Sequence, residues 1–213
     1  MSASFIHRFE AATVGGLPPV LLLHGTGGDE NDLVPLGHTV ASGAALLSLR
    51  GQVLEHGMPR FFRRLAEGVF DEDDVRRRAL DLADFVEQAR GRYELGAPVA
   101  LGYSNGANIA AAMLLLRPEA LAGAILLRAM LPLTDAPRVD LAGKPVLIVS
   151  GAQDPIALPD NAARLADMLR RAGAAVDHKI LPAGHPLTNT DVMVARSWWR
   201  NQADAPQDAA AAR

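Results

Sequence analysis

Cysteine is absent from the 213 residues, and so are long apolar runs and any excess of positive charge. Without cysteine the chain has no disulfide, no thiolate metal ligand and no cysteine nucleophile. The longest apolar runs, such as residues 109–116, are too short to span a bilayer, and residues 1–10 lack the apolar core of a secretory signal. A net charge of −3 gives no basic surface for nucleic acid. We therefore expect a soluble, cytoplasmic protein that neither inserts into membranes nor binds nucleic acid.

Short apolar segments alternate with helix-like segments, which is the pattern of an α/β fold with a mostly parallel sheet and helices on both faces. The expected strands, about seven, are residues 5–11, 20–23, 45–49, 98–101, 121–127, 145–149 and 175–181, and the expected helices are 33–42, 71–90, 105–116, 162–172 and 190–199. Residues 51–70 show no period and are expected to be irregular. The length suits a single domain over residues 1–202, followed by a flexible alanine-rich tail at 203–213.

One pentapeptide has the pattern of a serine nucleophile. Residues 102–106 spell Gly-Tyr-Ser-Asn-Gly, which matches G-x-S-x-G and lies between a predicted strand and a predicted helix. The flanking glycines allow strand and helix to approach closely. We predict that Ser104 is the nucleophile and that the Asn105 N–H donates to the oxyanion. The alternative is a structural glycine-rich turn.

Two residues further along the chain complete a catalytic triad. Asp154 follows a predicted strand, where open α/β sheets place their sites, and its carboxylate can orient a histidine. His185 lies in the loop after the last predicted strand, where it can act as general base and acid. The order Ser104, Asp154, His185 is that of the α/β-hydrolases. The alternatives are that Asp154-Pro155 only begins a turn and that His185 is a surface loop residue.

The loop after the first central strand is glycine-rich. Residues 24–28 are His-Gly-Thr-Gly-Gly, and in this fold that loop gives the second oxyanion donor. We predict the backbone N–H of Thr26 in this role and His24 as an organiser of the loop rather than a base. A phosphate-binding loop is the rival interpretation, but the glycine spacing fits neither common phosphate motif.

The irregular segment at residues 51–70 is the predicted rim or lid of the substrate pocket. Its side chains Met58, Phe61 and Phe62 are candidates to line an acyl or aryl pocket. The alternative for the two phenylalanines is packing in the core.

Two arginines and a methionine also follow predicted strands near the site. Arg50 and Arg128 are candidates to meet an anionic substrate, with ion pairing to nearby acidic residues as the alternative, and Met130 is expected to border the acyl site. The acidic run at residues 71–74 suits a helix N-terminus. A metal site there is the alternative, but no histidine follows at ligand spacing, so we predict no metal.

Two longer stretches carry a family resemblance. Residues 22–32 (Leu-Leu-His-Gly-Thr-Gly-Gly-Asp-Glu-Asn-Asp) and 102–108 (Gly-Tyr-Ser-Asn-Gly-Ala-Asn) resemble the phospholipase/carboxylesterase family, which includes acyl-protein thioesterases. Residues 60–64, 67–71 and 127–130 resemble its bacterial hydroquinone-resistance carboxylesterase branch. The resemblance extends over residues 6–199.

This resemblance implies a compact α/β-hydrolase without a large cap domain, without a cofactor, and active on small short-acyl esters. It also implies the triad Ser104, Asp154 and His185, the oxyanion donors Thr26 and Asn105, and a homodimer as one expected assembly. Asn105 departs from acyl-protein thioesterases, which have glutamine at this position, so protein depalmitoylation is not the expectation. An acyltransferase, a thioesterase or lysophospholipase with the same triad, and a retired hydrolase that only binds a ligand remain alternatives.

Overall fold

A central sheet organises the fold in the computed structural model, which describes residues 4–203. The predicted tail, apart from Ala203, lies outside those residues. Within the described part, seven strands form the sheet: β1 (His7–Glu10), β2 (Val20–Leu23), β3 (Leu46–Leu49), β8 (Val99–Tyr103), β9 (Gly123–Leu127), β10 (Pro145–Gly151) and β11 (Ala175–Leu181). Their order across the sheet is β1-β3-β2-β8-β9-β10-β11. Only the β1–β3 pairing is antiparallel, so the predicted, mostly parallel sheet is confirmed.

The inner strands are apolar because both of their faces are covered. Every residue of β2, β3 and β9 is buried, as expected of strands that lie between two helical layers. The edge strands β1 and β11 keep partly exposed polar residues. The two core clusters lie on opposite faces of this sheet.

Five α-helices within residues 4–203 cover the two faces. They are α1 (Val34–Val40), α2 (Glu72–Tyr93), α3 (Asn105–Leu116), α4 (Pro159–Arg171) and α5 (Asn189–Ala203). Apolar residues of α2, α3 and α4 pack in one core cluster, and those of α1 and α5 in the other. None of the helices in this part of the chain has the length and apolar character needed to cross a membrane.

The acidic run at residues 71–74 begins α2, as predicted. Asp71 is the N-cap residue, and its side chain accepts a hydrogen bond from the Asp74 N–H at 3.1 Å. The Asp71 carboxylate therefore satisfies one of the free N–H groups, and the acidic side chains of the first turn suit the positive end of the helix dipole. Across residues 4–203, no three His, Asp or Glu side chains cluster in a way that could hold a metal ion.

The prediction of an irregular segment at residues 51–70 is wrong. This segment forms two hairpins, β4 (Val53–Glu55) with β5 (Met58–Arg60), and β6 (Arg64–Ala66) with β7 (Val69–Phe70). The first hairpin turns through two residues, 56 and 57, that both have positive φ, as tight hairpin turns require. Strands of two or three residues are too short to show a period of two in the sequence. We call residues 53–70 the hairpin wall.

Candidate active site

Ser104 lies at a sharp turn between β8 and α3. Its φ of 52° is unfavourable for a residue with a side chain. A Cβ at Gly106 would collide with the Leu23 carbonyl, and one at Gly102 would lie 2.6 Å from the Gly106 carbonyl oxygen. Glycine at both positions therefore lets the strand and the helix meet closely, and the Ser104 hydroxyl projects from the carboxyl end of the sheet.

The structure brings the three predicted catalytic residues into one hydrogen-bonded line. The His185 Nε2 lies 2.9 Å from the Ser104 Oγ, and the His185 Nδ1 lies 2.8 Å from the Asp154 Oδ2. Asp154 is buried, and its Oδ1 accepts the N–H groups of Ile156 and Ala157 at 2.8 and 2.9 Å. With Nδ1 donating to this fixed carboxylate, Nε2 is free to accept the serine proton.

The two predicted oxyanion donors lie beside the same serine. Thr26 and Asn105 line the cavity that contains Ser104. As the first residue of α3, Asn105 has no acceptor for its N–H within the helix. Among the backbone hydrogen bonds of residues 4–203, the Thr26 N–H donates none. Both groups are therefore available to a carbonyl oxygen that develops charge.

Arg128 does not face a substrate, so that candidate role is wrong. Its side chain is fully buried, and its Nη1 and Nη2 donate to the two carboxylate oxygens of Asp191 at 2.6 and 2.9 Å. Its Nε donates to the Gly184 carbonyl at 2.8 Å. The partner is a residue of α5 rather than the acidic run at 71–74, and the arginine supports the loop that carries His185.

Arg50, the other arginine that follows a strand, is also paired. Its Nε donates to the Glu30 carboxylate at 2.6 Å. The acidic partner comes from the loop after β2, which lies beside β3 in the sheet.

Tyr103 is a site residue that sequence reasoning missed. Its hydroxyl donates to the His185 carbonyl at 3.2 Å, and the two rings lie 5.5 Å apart. Burial raises the pKa of the Tyr103 phenol, so it stays a donor at neutral pH. The only available signal was its place beside the nucleophile, where the G-x-S-x-G pattern accepts any residue.

A cavity of about 290 Å³ opens over the serine. Ser104 and His185 lie in its wall, together with apolar side chains that include Met130, Phe70 and Ile156. Met130 thus lies in the wall of the cavity, and its contact with an acyl group stays a prediction.

The three other pocket candidates do not line this cavity. Phe61 and Phe62 are buried in the core, where Phe61 packs 4.8 Å from the His24 ring and Phe62 packs 5.1 Å from the Phe70 ring. Met58 is exposed and lies against Gly27, away from the cavity lining. The hairpin wall therefore contributes its phenylalanines to the core and other residues to the cavity.

Residues 59–61 of the hairpin wall hold the oxyanion region. The Pro59 carbonyl accepts the Gly27 N–H at 2.9 Å. The Arg60 guanidinium donates from Nη1 to the Thr26 Oγ1 at 2.6 Å. The Phe61 N–H donates to the Asn105 Oδ1 at 2.7 Å. The wall thus contacts both predicted oxyanion residues.

His24 organises the loop, as expected from its position in the sequence. Its Nε2 accepts the Gly51 N–H at 3.0 Å, so its Nδ1 carries the proton and donates to the Gly25 carbonyl at 2.6 Å. Burial lowers the pKa of this imidazole, which favours the neutral form that the two contacts require.

Known proteins are similar to this chain over most of its length. No protein-family model matches it. The chain is 43% identical over 196 residues to the protein called hydrolase MhqD of Bacillus subtilis (strain 168). The aligned region covers 91% of this chain and 97% of that protein. The crystal structure of the Bacillus cereus carboxylesterase is 45% identical, with a TM-score of 0.91 over 94% of this chain and 95% of that chain. The carboxylesterase from Mesorhizobium loti is 35% identical, with a TM-score of 0.87 over 92% of this chain and 94% of that chain.

Proposed function

The chain belongs to the hydroquinone-resistance carboxylesterase branch of the α/β-hydrolases and is an ester-hydrolysing enzyme, and we propose that it cleaves short-acyl esters through an acyl-enzyme on Ser104. The observation that carries this proposal is the line from Asp154 through His185 to the Ser104 Oγ, which ends in an open cavity.

In the first half-reaction, the His185 Nε2 takes the proton of the Ser104 hydroxyl as its oxygen attacks the ester carbonyl. The charge that develops on the carbonyl oxygen is stabilised by the N–H groups of Thr26 and Asn105. Donors of this kind lower the activation barrier by about 3 kcal/mol or more. Asp154 stabilises the imidazolium. His185 then returns the proton to the alcohol, which leaves.

In the second half-reaction, water replaces the alcohol. The His185 Nε2 takes a proton from water, the hydroxide attacks the acyl carbonyl, and the same N–H groups hold the oxyanion. The C–O bond to Ser104 breaks as the His185 Nε2 returns the proton to the Ser104 oxygen, and the carboxylic acid product departs from the regenerated enzyme. A cavity of about 290 Å³ bounded by Met130 and Phe70 favours short acyl chains.

The test is hydrolysis of p-nitrophenyl acetate and butyrate by the wild type and by Ser104→Ala. We expect kcat to fall by at least about 10⁴-fold in the variant while the thermal unfolding midpoint stays close to that of the wild type, because the group lost acts only in the reaction.

A fluorophosphonate probe provides an independent readout, because it should label the wild type and leave Ser104→Ala unlabelled. Equal hydrolysis by both proteins after removal of contaminating esterases would reject the proposal. Failure of the wild type to react with the probe would favour a retired hydrolase.

A further inference from the structure

Arg60 is a buried cation in the wall of the reaction cavity. Its side chain is 4% exposed, and it lines the same cavity as Ser104. Its Nη1 donates to the Thr26 Oγ1, and its Nε donates to the Phe62 carbonyl at 3.2 Å. Neither acceptor carries a charge.

The charge of Arg60 is only partly compensated by protein. Among residues 4–203, the carboxylate of Glu55 alone forms an ion pair with it. The Glu55 Oε2 lies 3.3 Å from the Arg60 Nε, while the Glu55 Oε1 accepts from the Arg64 Nε at 2.9 Å. The Oε2 atom is buried and has no hydrogen-bond partner within residues 4–203. One carboxylate is thus shared by two guanidinium groups, and Arg64 also lines the cavity.

An arginine stays charged even when it is buried, and burial of an uncompensated charge is costly. Desolvation lowers the pKa of Arg60, which reflects this cost. A carboxylate that does line the cavity, that of Glu67, is exposed on the turn between β6 and β7. Solvent and salt screen its charge strongly, and screen a charge in the wall of the cavity much less.

One edge of the guanidinium is open to the cavity. The Arg60 Nη2 donates no hydrogen bond within residues 4–203, and it is not among the fully buried polar atoms that lack a partner. The exposed part of the side chain therefore includes this nitrogen. A carboxylate at the Nη1–Nη2 edge would supply the missing negative charge through short, charge-assisted hydrogen bonds.

We infer that the cavity selects esters whose acyl part ends in a carboxylate, which are half-esters of short dicarboxylic acids, and that Arg60 binds this carboxylate. Arg60 is one hydrogen bond away from Thr26, whose N–H is assigned to the scissile carbonyl, so the two ends of the acyl group must be close together. This inference rests on the proposed ester hydrolysis and adds the substrate class.

The test compares three methyl esters of similar shape: monomethyl succinate, its neutral amide methyl succinamate, and the apolar isostere methyl 4-methylpentanoate. Hydrolysis of the first adds water across the ester bond and gives methanol, succinate and a proton, and methanol release can be measured for all three. We expect kcat/KM for monomethyl succinate to exceed both neutral values by at least about tenfold, the gain of a hydrogen bond to a charged group.

Equal or lower kcat/KM for the charged ester would overturn the inference while leaving ester hydrolysis in place. Loss of the proposed function looks different, because p-nitrophenyl butyrate and all three methyl esters would then be left intact.

Variants at Arg60 identify the residue responsible. Arg60→Met should lower hydrolysis of every ester through the lost Thr26 contact, but it should also bring the charged-to-neutral ratio to about one, whereas Arg60→Lys should retain part of the ratio. Arg63→Met is the matched control, because Arg63 pairs with Asp71 and does not line the cavity, so its ratio should equal that of the wild type. An unchanged ratio in Arg60→Met would overturn the assignment.

A wild-type experiment covers the case in which Arg60→Met does not fold. Succinate should inhibit hydrolysis of p-nitrophenyl butyrate competitively, with an inhibition constant at least about tenfold below that of neutral succinamide. Equal inhibition by the two compounds would overturn the inference.

Discussion

Two buried arginines near the candidate site, Arg60 and Arg128, have very different surroundings. Arg128 belongs to the triad cluster, which we define as Ser104, Asp154, His185, Arg128 and Asp191. It donates to both oxygens of the Asp191 carboxylate, whose other donors are neutral groups of Thr188. Arg60 belongs to the hairpin wall and shares one carboxylate with Arg64. A fully paired buried charge holds protein in place, whereas a partly paired one at a cavity can bind a ligand.

The two regions also differ in how they are built. The catalytic residues of the triad cluster follow the carboxyl ends of the strands β8, β10 and β11, where the sheet and the helices fix the backbone. The hairpin wall consists of strands of two or three residues, held to the rest by residues 59–61 and by its core phenylalanines. We therefore expect mutations in the triad cluster to abolish folding or chemistry, and those in the wall to change selection.

The largest effect on stability should come from the paired arginine. Arg128→Met leaves the Asp191 carboxylate buried without its cation, and breaking a buried pair in this way costs about 3–5 kcal/mol in the free energy of unfolding. Urea unfolding measures this loss. Activity should fall as well, because the loop that carries His185 loses the Arg128–Gly184 hydrogen bond.

A double variant and an exposed arginine serve as controls for this prediction. Arg128→Met with Asp191→Leu removes both charges and should recover most of the lost stability, but the activity should stay low because the loop contact is still missing. Arg63→Met breaks an exposed pair and should stay near the wild-type stability. If Arg128→Met were as stable as Arg63→Met, the contrast between the two regions would be false.

The three catalytic residues of the triad cluster were predictable from sequence because each follows a strand of five or seven residues that the sequence pattern marks. The strand at residues 20–23 and the helix at 105–116 match the structure to the residue, and these elements place Thr26 and Ser104. The Arg128–Asp191 pair was not predicted, since its partners are 63 residues apart and no local pattern links them.

The hairpin wall was not predictable for a physical reason. Its strands are shorter than two full alternations, and its core residues Phe61 and Phe62 are adjacent in sequence, yet both are buried. Their burial is decided by contacts with His24 and Phe70. The importance of Arg60 depends on how Glu55 is shared, which only the folded arrangement shows.

A smaller effect is expected where the wall meets the oxyanion loop. Thr26→Val keeps the backbone N–H and the branched shape but removes the hydroxyl that accepts the Arg60 Nη1. We expect kcat/KM to fall by about tenfold, the usual worth of a hydrogen bond to a charged group, with little change in unfolding. Steady-state kinetics with p-nitrophenyl butyrate measures this, and Thr26→Ser, which keeps the hydroxyl, should retain most of the activity. Equal loss in both variants would show that the contact does not matter.

The smallest effect should appear at His24, which links the oxyanion loop to Gly51, two residues before the hairpin wall. Burial lowers its pKa below 6.5, so the unfolded chain binds more protons near that pH than the folded protein does. The contribution of the neutral His24 imidazole to the free energy of unfolding is therefore complete above pH 6.5. It is lost as the pH falls below 6.5 toward the pKa of His24 in the folded protein. The pKa of His178 is also lowered by burial, so the measurement must be a difference. We expect the free energy of unfolding to decrease from pH 7.5 to 5.5 more steeply in the wild type than in His24→Gln, because glutamine does not titrate. Parallel pH profiles for the two proteins would mean that the imidazole is not held neutral, and the wall would then be joined to the oxyanion loop by residues 59–61 without help from His24.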